Sequence, residues 1–194
     1  MEIRRVVTGL DDAGRAVVMS DGPPPRRHDL VHVPGMSTAM LWATAPGQPL
    51  PLDGADPTPH VLSQLPQPGG TCFLIVRFPP DSVFTDPAFD AAAADAEQRL
   101  ASPGLAELFE PDNPGMHTTD TVDYIVVLDG EVWLELDDGQ RTQLRAGDTV
   151  VQTGTRHAWR NLGTRPVTLA VVQVGASRAA RPSLFFETGR GRPA

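Results

Sequence analysis

The sequence predicts an all-β protein, built as a barrel of short strands with one short helical segment. Prolines and glycines, 20 and 18 of the 194 residues, interrupt the chain frequently. Short apolar runs rich in β-branched residues lie between these breaks, and they become dense after Pro111. Short strands that recur roughly every ten residues with glycine turns are typical of sandwiches and barrels rather than of helical bundles.

The first half of the chain predicts a strand-rich N-terminal extension. A turn sequence at residues 11–14 separates two β-branched runs, which predicts a hairpin. Residues 46–70 are rich in proline and glycine and predict a long loop that covers a site or a partner surface. Strands are predicted over residues 3–8, 16–19, 30–33, 37–44 and 71–78.

One helix is predicted after these strands. Asp86 suits the residue that caps a helix, and Pro87 suits its first turn. Apolar residues then recur at helical spacing until a Ser-Pro-Gly sequence ends the helix. The predicted buried face consists of Phe89, Ala93, Ala96 and Leu100.

The residues after 110 predict the barrel itself, because strand-like runs and tight glycine turns alternate there. The predicted strands cover residues 121–128, 132–136, 141–145, 149–152, 157–161 and 166–174. The predicted organisation is an extension with its helix at residues 1–110, packed on a barrel core at 111–175 and followed by a C-terminal tail at 176–194.

Composition excludes several classes of function. A net charge of −8 argues against binding to nucleic acid or to an anionic membrane, and no apolar run is long enough for a transmembrane helix. The chain has no lysine, which excludes Schiff-base catalysis and a P-loop. A single cysteine, Cys72, excludes an intrachain disulfide, and we expect a cytoplasmic protein with no nucleic-acid or membrane partner.

The residues that carry chemistry lie in two strands of the predicted barrel. Strand alternation places His117, Thr119 and Asp123 on one face of the first strand. His157 and Trp159 likewise share a face of a later strand. If the two strands face each other, two imidazoles and one carboxylate converge inside the barrel.

The spacing of these residues resembles the two sequence motifs of the cupin superfamily. The first motif is a Gly-rich lead, His-x-His, Glu and Gly, and its positions here are His117, Thr119, Asp123 and Gly130. The second motif contains two glycines, a histidine and an asparagine, and its positions here are Gly147, Gly154, His157 and Asn161. The resemblance implies a jelly-roll barrel, also called a double-stranded β-helix, with the N-terminal strands as an extension.

The resemblance also implies a metal site with His117, Asp123 and His157 as ligands and catalytic residues. Two histidines and one carboxylate are the ligand set of non-haem Fe(II) oxygenases, and the set also suits zinc, manganese or nickel. Thr119 stands where the family has its second histidine, and Asp123 stands where it has glutamate. The expected cofactor is therefore one divalent transition metal, or none if the site has lost its metal and works by acid–base chemistry.

Four further residues are candidates for contacts with a substrate. Trp159 faces the barrel interior by parity and could stack on a flat ligand, although packing in the core explains it equally well. Thr119 lies beside the expected ligands. Gln173 and Arg77 are polar residues within apolar strands, where each could orient a substrate or lie at the surface.

The N-terminal half resembles a group of cupins from natural-product pathways, some of them described as oxidoreductases. The residues that carry this resemblance are 3–9, 20–23 and 41–44. Trp133 is predicted on the outer face of its strand, which would be explained if the extension or a second subunit covers it. We therefore expect a homodimer.

The sequence leads to three functional hypotheses. The first is a metal-dependent cupin enzyme of the oxidoreductase or of the lyase or isomerase type. Its substrate would be a small organic metabolite, such as an aromatic or polyketide-like compound. The second is a barrel that binds a small molecule without converting it. The third is metal-free acid–base catalysis by His117 and His157.

Overall fold

A computed structural model describes residues 2–51 and 55–178. Within these ranges there are eleven strands and one α-helix, with short 3-10 turns between them. The strands are β1 Arg5–Leu10, β2 Ala16–Gly22, β3 Arg26–Asp29, β4 Ser37–Thr44, β5 Thr71–Phe78, β6 Thr121–Asp129, β7 Glu131–Glu135, β8 Arg141–Arg145, β9 Thr149–Thr153, β10 Ala158–Arg160 and β11 Val167–Gly175. The helix α1 covers Ala91–Ala101, and the 3-10 turns cover Thr58–His60, Asp81–Thr85, Ala106–Leu108 and Asp137–Gly139.

The strands form two larger sheets and a separate hairpin. The six-stranded sheet has the order β3-β4-β5-β11-β6-β9, and the three-stranded sheet has the order β10-β7-β8. Every pair of neighbouring strands is antiparallel. This is a jelly-roll-like arrangement, and it confirms the predicted all-β class with one short helix.

The apolar core lies between the two larger sheets. Its fully buried members come from β6, β7, β8 and β11, and they follow the alternation of inward and outward side chains along each strand. They are Ile125, Val127, Val132, Leu144, Val167 and Leu169.

Three strands of the N-terminal half belong to the same sheet as the barrel strands. β3, β4 and β5 continue the six-stranded sheet beyond β11, and only the hairpin β1–β2 forms a sheet of its own. The buried side chain of Arg5 joins this hairpin to the sheet, because it donates a hydrogen bond to the carbonyl of Leu41 at 3.0 Å and lies over the ring of Trp42. Residues 179–194 of the predicted C-terminal tail lie outside the described residues.

The prediction of a strand at residues 30–33 is wrong. The strand that pairs with β4 lies earlier, at Arg26–Asp29. Leu30 and Val33 are buried because they pack against Ala94 and Ala101 of the helix. Their apolar character therefore reflects packing of a loop under α1 and not a place in the sheet.

The predicted start of the helix is also wrong, and its predicted buried face is right for Phe89 but wrong for Ala96 and Leu100, which are exposed. Asp90 caps α1 by accepting a hydrogen bond from the amide of Ala93, whereas Asp86 accepts one from Ala88 in a preceding turn. Leu100 is 77% exposed. Phe89, Ala94 and Ala101 pack with Leu30 and Val33 of the loop that follows β3. The carboxylate of Glu97 also accepts hydrogen bonds from two backbone amides of this loop.

Part of the loop at residues 46–70 closes over the end of β11. The amide of Gly69 donates to the carbonyl of Gly175 at 2.9 Å, and the amide of Gly175 donates to Gly70 at 2.9 Å. A Cβ atom on Gly175 would lie 2.0 Å from the carbonyl oxygen of Gln67, so only glycine fits there. None of the described helices is long and apolar enough to cross a membrane.

Substitution of Leu169, which is buried in the core, and of Leu100, which is exposed, tests where the core lies. We expect Leu169→Ala to lower the free energy of unfolding by about 2–5 kcal/mol, because it removes a fully buried side chain. Leu100→Ala, at the position where periodicity predicts a core residue, should change it by less than about 0.5 kcal/mol. Urea denaturation of both variants measures the difference, and equal effects would contradict the observed burial.

Candidate active site

Two buried histidines lie side by side where the loop before β6 meets the loop before β10. His117 and His157 form an isolated antiparallel bridge, in which each backbone amide donates to the carbonyl of the other at 3.0 and 2.9 Å. Their rings are 4.4 Å apart between centroids and are tilted by 50°. Their residues are 8% and 2% exposed, so the pair is held by the backbone and is largely removed from water.

A backbone carbonyl two residues before each histidine fixes the tautomer of its ring. Nδ1 of His117 lies 3.0 Å from the carbonyl oxygen of Gly115, and Nδ1 of His157 lies 3.0 Å from that of Thr155. A carbonyl oxygen can only accept a hydrogen bond, so the proton of each neutral ring is on Nδ1. Nε2 of each ring therefore keeps its lone pair, which can accept a proton or coordinate a metal ion.

Burial keeps both imidazoles neutral near pH 7. It lowers the pKa of His117, against the opposing effects of the hydrogen bond to Gly115 and of the Glu110 carboxylate. Burial and then the neighbouring His117 lower the pKa of His157 to about 4. The Glu110 carboxylate thus favours protonation of His117, whereas burial and His117 act together against protonation of His157.

Aromatic rings flank the pair on both sides. Phe109 contacts the His117 ring edge-on, with centroids 5.2 Å apart, and Trp159 lies edge-on to His157 at 6.0 Å. Trp159 also packs against the apolar core. Packing of Trp159 in the core is therefore confirmed, and its contact with a ligand stays a prediction.

An ion-pair network joins the segment that carries Phe109 to the turn that precedes His157. Arg156 donates two hydrogen bonds to the Glu110 carboxylate, both at 2.6 Å, and a third to Asp137 at 2.9 Å. These bonds raise the pKa of Arg156 and lower that of Glu110. Arg156 and Glu110 could not be predicted from the sequence, because a pair 46 positions apart leaves no local pattern.

Asp123 lies elsewhere in the barrel interior, in a row of polar side chains. Antiparallel pairing places it directly between Gln173 of β11 and Gln152 of β9, and the three residues are each 4% exposed. Burial raises the pKa of Asp123, and hydrogen bonds to Thr121 and Gln173 oppose that shift. The next residue in the row is Cys72, whose buried thiol has its pKa raised to about 12 by burial.

The predicted set of three metal ligands is not brought together in this structure. Among the described residues, no three His, Cys, Asp or Glu side chains form a group that could hold a metal ion. The physical reason lies in the two departures from the family motif. Asp123 is one methylene shorter than glutamate and bonds with Thr121 and Gln173, and the hydroxyl of Thr119 bonds to that of Thr121 at 2.8 Å.

The remaining predicted residues divide between the interior and the outer face. Thr119 and Gln173 are buried in the interior, on the same strip as Asp123. Side chains alternate along β5, so Arg77 lies on the same face as Phe73, and Cys72 lies on the opposite, buried face. The structure therefore does not bring Arg77 to the interior site. Gln152, which the sequence analysis did not single out, is brought there by the pairing of β9 with β6.

Comparison with known proteins identifies the fold family. Residues 108–173 match the family model of the cupin domain, Cupin_2, and this segment contains both histidines, Asp123 and Gln173. Residues 108–173, about a third of the chain, thus match a cupin domain. A solved structure, the Cupin_2 domain of an XRE family transcriptional regulator from Enterobacter cloacae, is 16% identical, has a TM-score of 0.38 and covers 74% of this chain and 99% of its own.

The chain is also similar to curated proteins of natural-product biosynthesis clusters. Phomopsin biosynthesis cluster protein C′ of Diaporthe leptostromiformis is 56% identical over 46 residues, which are 24% of each chain. The cupin-domain-containing oxidoreductase virC of Hypocrea virens is 41% identical over 54 residues, 26% of this chain and 28% of that protein. The matches thus span about a quarter of the length of these curated relatives.

The pH dependence of stability tests the electrostatics of the pair. The pKa of His157 is lower in the folded than in the unfolded chain, so the unfolded chain binds a proton first as the pH falls. The stabilisation is therefore complete above about pH 6.5 and is lost as the pH falls towards about 4, by on the order of 3 kcal/mol. In the variant His157→Gln this part of the loss should disappear, as measured by urea denaturation at pH 7.5 and pH 4.5.

The matched control for this measurement is His32→Gln, because the side chain of His32 is exposed. It should keep the pH dependence of the unsubstituted protein. An unchanged pH dependence in His157→Gln would show that His157 is not buried in its neutral form.

Proposed function

We propose that this cupin is an enzyme that converts a small organic metabolite of natural-product type, with His117 and His157 as its reactive groups. The main support is the pair itself, which consists of two buried, neutral imidazoles with ring centroids 4.4 Å apart. In each ring a backbone carbonyl bonds to Nδ1, so the lone pair of Nε2 is not used by that bond. The cluster proteins and the oxidoreductase among its relatives support the class of metabolite.

The reaction that the pair supports best is proton transfer, as in an isomerase or a lyase. Nε2 of His117 accepts a proton from a carbon next to a carbonyl group, and the electrons of the broken C–H bond move to the carbonyl oxygen as an enolate. When a C=C bond is conjugated with this enolate, the imidazolium returns the proton to the far carbon of that bond, and the electron pair moves from the enolate oxygen through the shifted double bond to give an isomer. Alternatively the imidazolium protonates a departing hydroxyl group, which gives an alkene and water.

The two histidines take different parts in this proposal. His117 is the base, because the Glu110 carboxylate favours its protonated form, whereas burial and His117 both disfavour protonation of His157. His157 stays neutral and lines the other side of the site. Phe109 and Trp159 restrict the access of water to the pair, which keeps a reactive enolate from side reactions.

A second candidate is a metal-dependent enzyme, favoured by the anchoring of both Nδ1 atoms. A backbone carbonyl bonded to Nδ1 is the usual support of a metal-ligating histidine. His117 and His157 would hold a divalent ion such as iron, zinc, manganese or nickel, and such an ion would polarise a substrate oxygen as a Lewis acid. Because the structure assembles two donors and catalytic zinc sites have three protein ligands, we derive no step through a metal.

Hydrogen–deuterium exchange tests the proposed proton transfer. Metal-free protein, prepared with a chelator, is incubated in D₂O with small aryl ketones such as acetophenone and 4-chromanone, and deuterium uptake is measured by mass spectrometry. We expect uptake at least tenfold above the protein-free rate, lost in His117→Gln and kept in His32→Gln. Uptake that appears only after a divalent metal is added would establish the second candidate, and binding of a ketone without uptake would favour a binding protein.

We also propose that the protein is a homodimer that packs the outer faces of two six-stranded sheets together. Phe73, Val172, Tyr124 and Val151 form one row across this face, and three of them are exposed. The row carries no charge, so a second copy of this acidic chain can approach it without local repulsion.

Light scattering after size-exclusion chromatography tests the dimer. We expect twice the mass of one chain, and the mass of one chain for Tyr124→Glu, because two carboxylates would then be buried at the interface. Leu62→Glu is the matched control, since Leu62 is an exposed residue outside the sheet, and it should leave the mass unchanged. The mass of one chain for the unsubstituted protein would refute the proposal.

A further inference from the structure

The polar row inside the barrel has hydrogen-bonding capacity that the described protein does not use. Asp123, Gln152 and Gln173 lie side by side on three neighbouring strands, in the order β11-β6-β9. One buried atom of each side chain has no hydrogen-bond partner among the described residues: Oδ1 of Asp123, Nε2 of Gln152 and Oε1 of Gln173. A buried polar group without a partner destabilises the fold, so three adjacent ones indicate a site that a ligand completes.

The other ends of these side chains are held by the protein. The hydroxyl of Thr155 donates to Oε1 of Gln152, which directs the Nε2 group of that amide away from the contact. Hydrogen bonds to Thr121 and Gln173 hold the carboxyl group of Asp123 and leave its Oδ1 atom free. The three unused atoms thus belong to fixed side chains, as expected of a preformed binding site.

The unused atoms comprise one donor and two acceptors. Gln152 offers an N–H group, and Gln173 offers a carbonyl oxygen. Asp123 offers a carboxyl oxygen. An amide satisfies this pattern, because its carbonyl oxygen accepts from Gln152 and its two N–H groups donate to Asp123 and Gln173. A ketone leaves both acceptors unpaired, and a carboxylate in addition brings a negative charge next to Asp123.

We propose that Gln152, Asp123 and Gln173 bind the uncharged amide group of a small-molecule ligand inside the barrel. The inference deepens the proposed function, on which it rests for the chemistry at the histidine pair, and it gives the substrate class as amides and lactams. Asp123 is then a ligand-binding residue and not a metal ligand. The strand register places Asp123 between the two glutamines. Neighbouring strands of a sheet are about 4.8 Å apart, so each glutamine lies one such spacing from Asp123.

Three molecules of nearly equal size show whether binding depends on hydrogen-bond donors and acceptors or only on molecular size. Acetamide has the required acceptor and two donors, acetone has an acceptor alone, and acetate has two acceptors and a charge. Binding to ¹⁵N-labelled protein is followed through the side-chain amide signals of the glutamines, assigned from the signals that disappear in Gln152→Met and Gln173→Met. We expect acetamide to shift both signals saturably at millimolar concentration, as suits a ligand of four heavy atoms, and at least tenfold weaker binding of acetone and acetate.

The variants make the test specific for the row. Gln152→Met keeps the volume of the side chain and removes its N–H donor, so the affinity for acetamide should fall at least tenfold while the protein stays folded. Gln143→Met is the matched control, because Gln143 is an exposed glutamine of β8 that bonds to Glu131. It should bind acetamide as the unsubstituted protein does.

The metal content of Asp123→Asn separates this inference from the proposed metal-dependent enzyme. If Asp123 binds an amide, the variant keeps any metal bound after reconstitution with Zn²⁺, whereas His157→Ala loses it. Loss of Zn²⁺ in both variants would overturn the inference, as would equal shifts from acetone and acetamide or an unaltered affinity in Gln152→Met. Binding of acetamide does not involve the histidine pair, so saturable binding of acetamide without any deuterium uptake would overturn the proposed function and leave this inference standing.

Discussion

The structure depends on the pairing of β11 along both of its edges. This nine-residue strand is hydrogen-bonded to β5 on one side and to β6 on the other, so it joins the N-terminal strands to the barrel strands in one sheet. The same register decides the interior. Val167 and Leu169 enter the apolar core at one end of β11, and Gln173 enters the polar row at the other.

The barrel interior is consequently divided into an apolar and a polar part. The apolar part stabilises the fold by burial, whereas the polar part contains Thr119, Thr121, Asp123 and the two glutamines, all of them buried. Burial of so many polar groups at one end opposes folding unless they bond to one another or to a ligand. Backbone bonds from Gly69 and Gly70 to Gly175 fix the same end of β11, two residues beyond Gln173.

The histidine pair and the polar row are two different environments within one barrel. The pair is made of neutral rings, each anchored through Nδ1 and enclosed by aromatic neighbours. The row is made of side chains that recognise donors and acceptors. A substrate that extends from the polar row to the histidine pair would be bound through one functional group and converted at another. Binding at one group positions the other for reaction.

The sequence by itself determined the fold class, most strands and the inward direction of the chemically important residues. Strand alternation is a local property with a period of two, so residues 37–44, 71–78 and 141–145 could be assigned as strands with the bounds that the structure has. The same alternation placed His117 and His157 inside the barrel. Local patterns failed at residues 30–33, where strand alternation was used, and on the helix, where helical spacing was used. There, packing of a loop against α1 decides which apolar residues are buried.

Only the tertiary structure decided which of these residues are neighbours. The pairing of β6 with β9 and β11 set Asp123 between two glutamines, and the bridge between His117 and His157 set the imidazoles together without it. Contacts of Phe109, Glu110 and Arg156 likewise join segments that are far apart in sequence. Register between distant strands is fixed by the packing of the whole sheet, so it cannot be read from the alternation within any one strand.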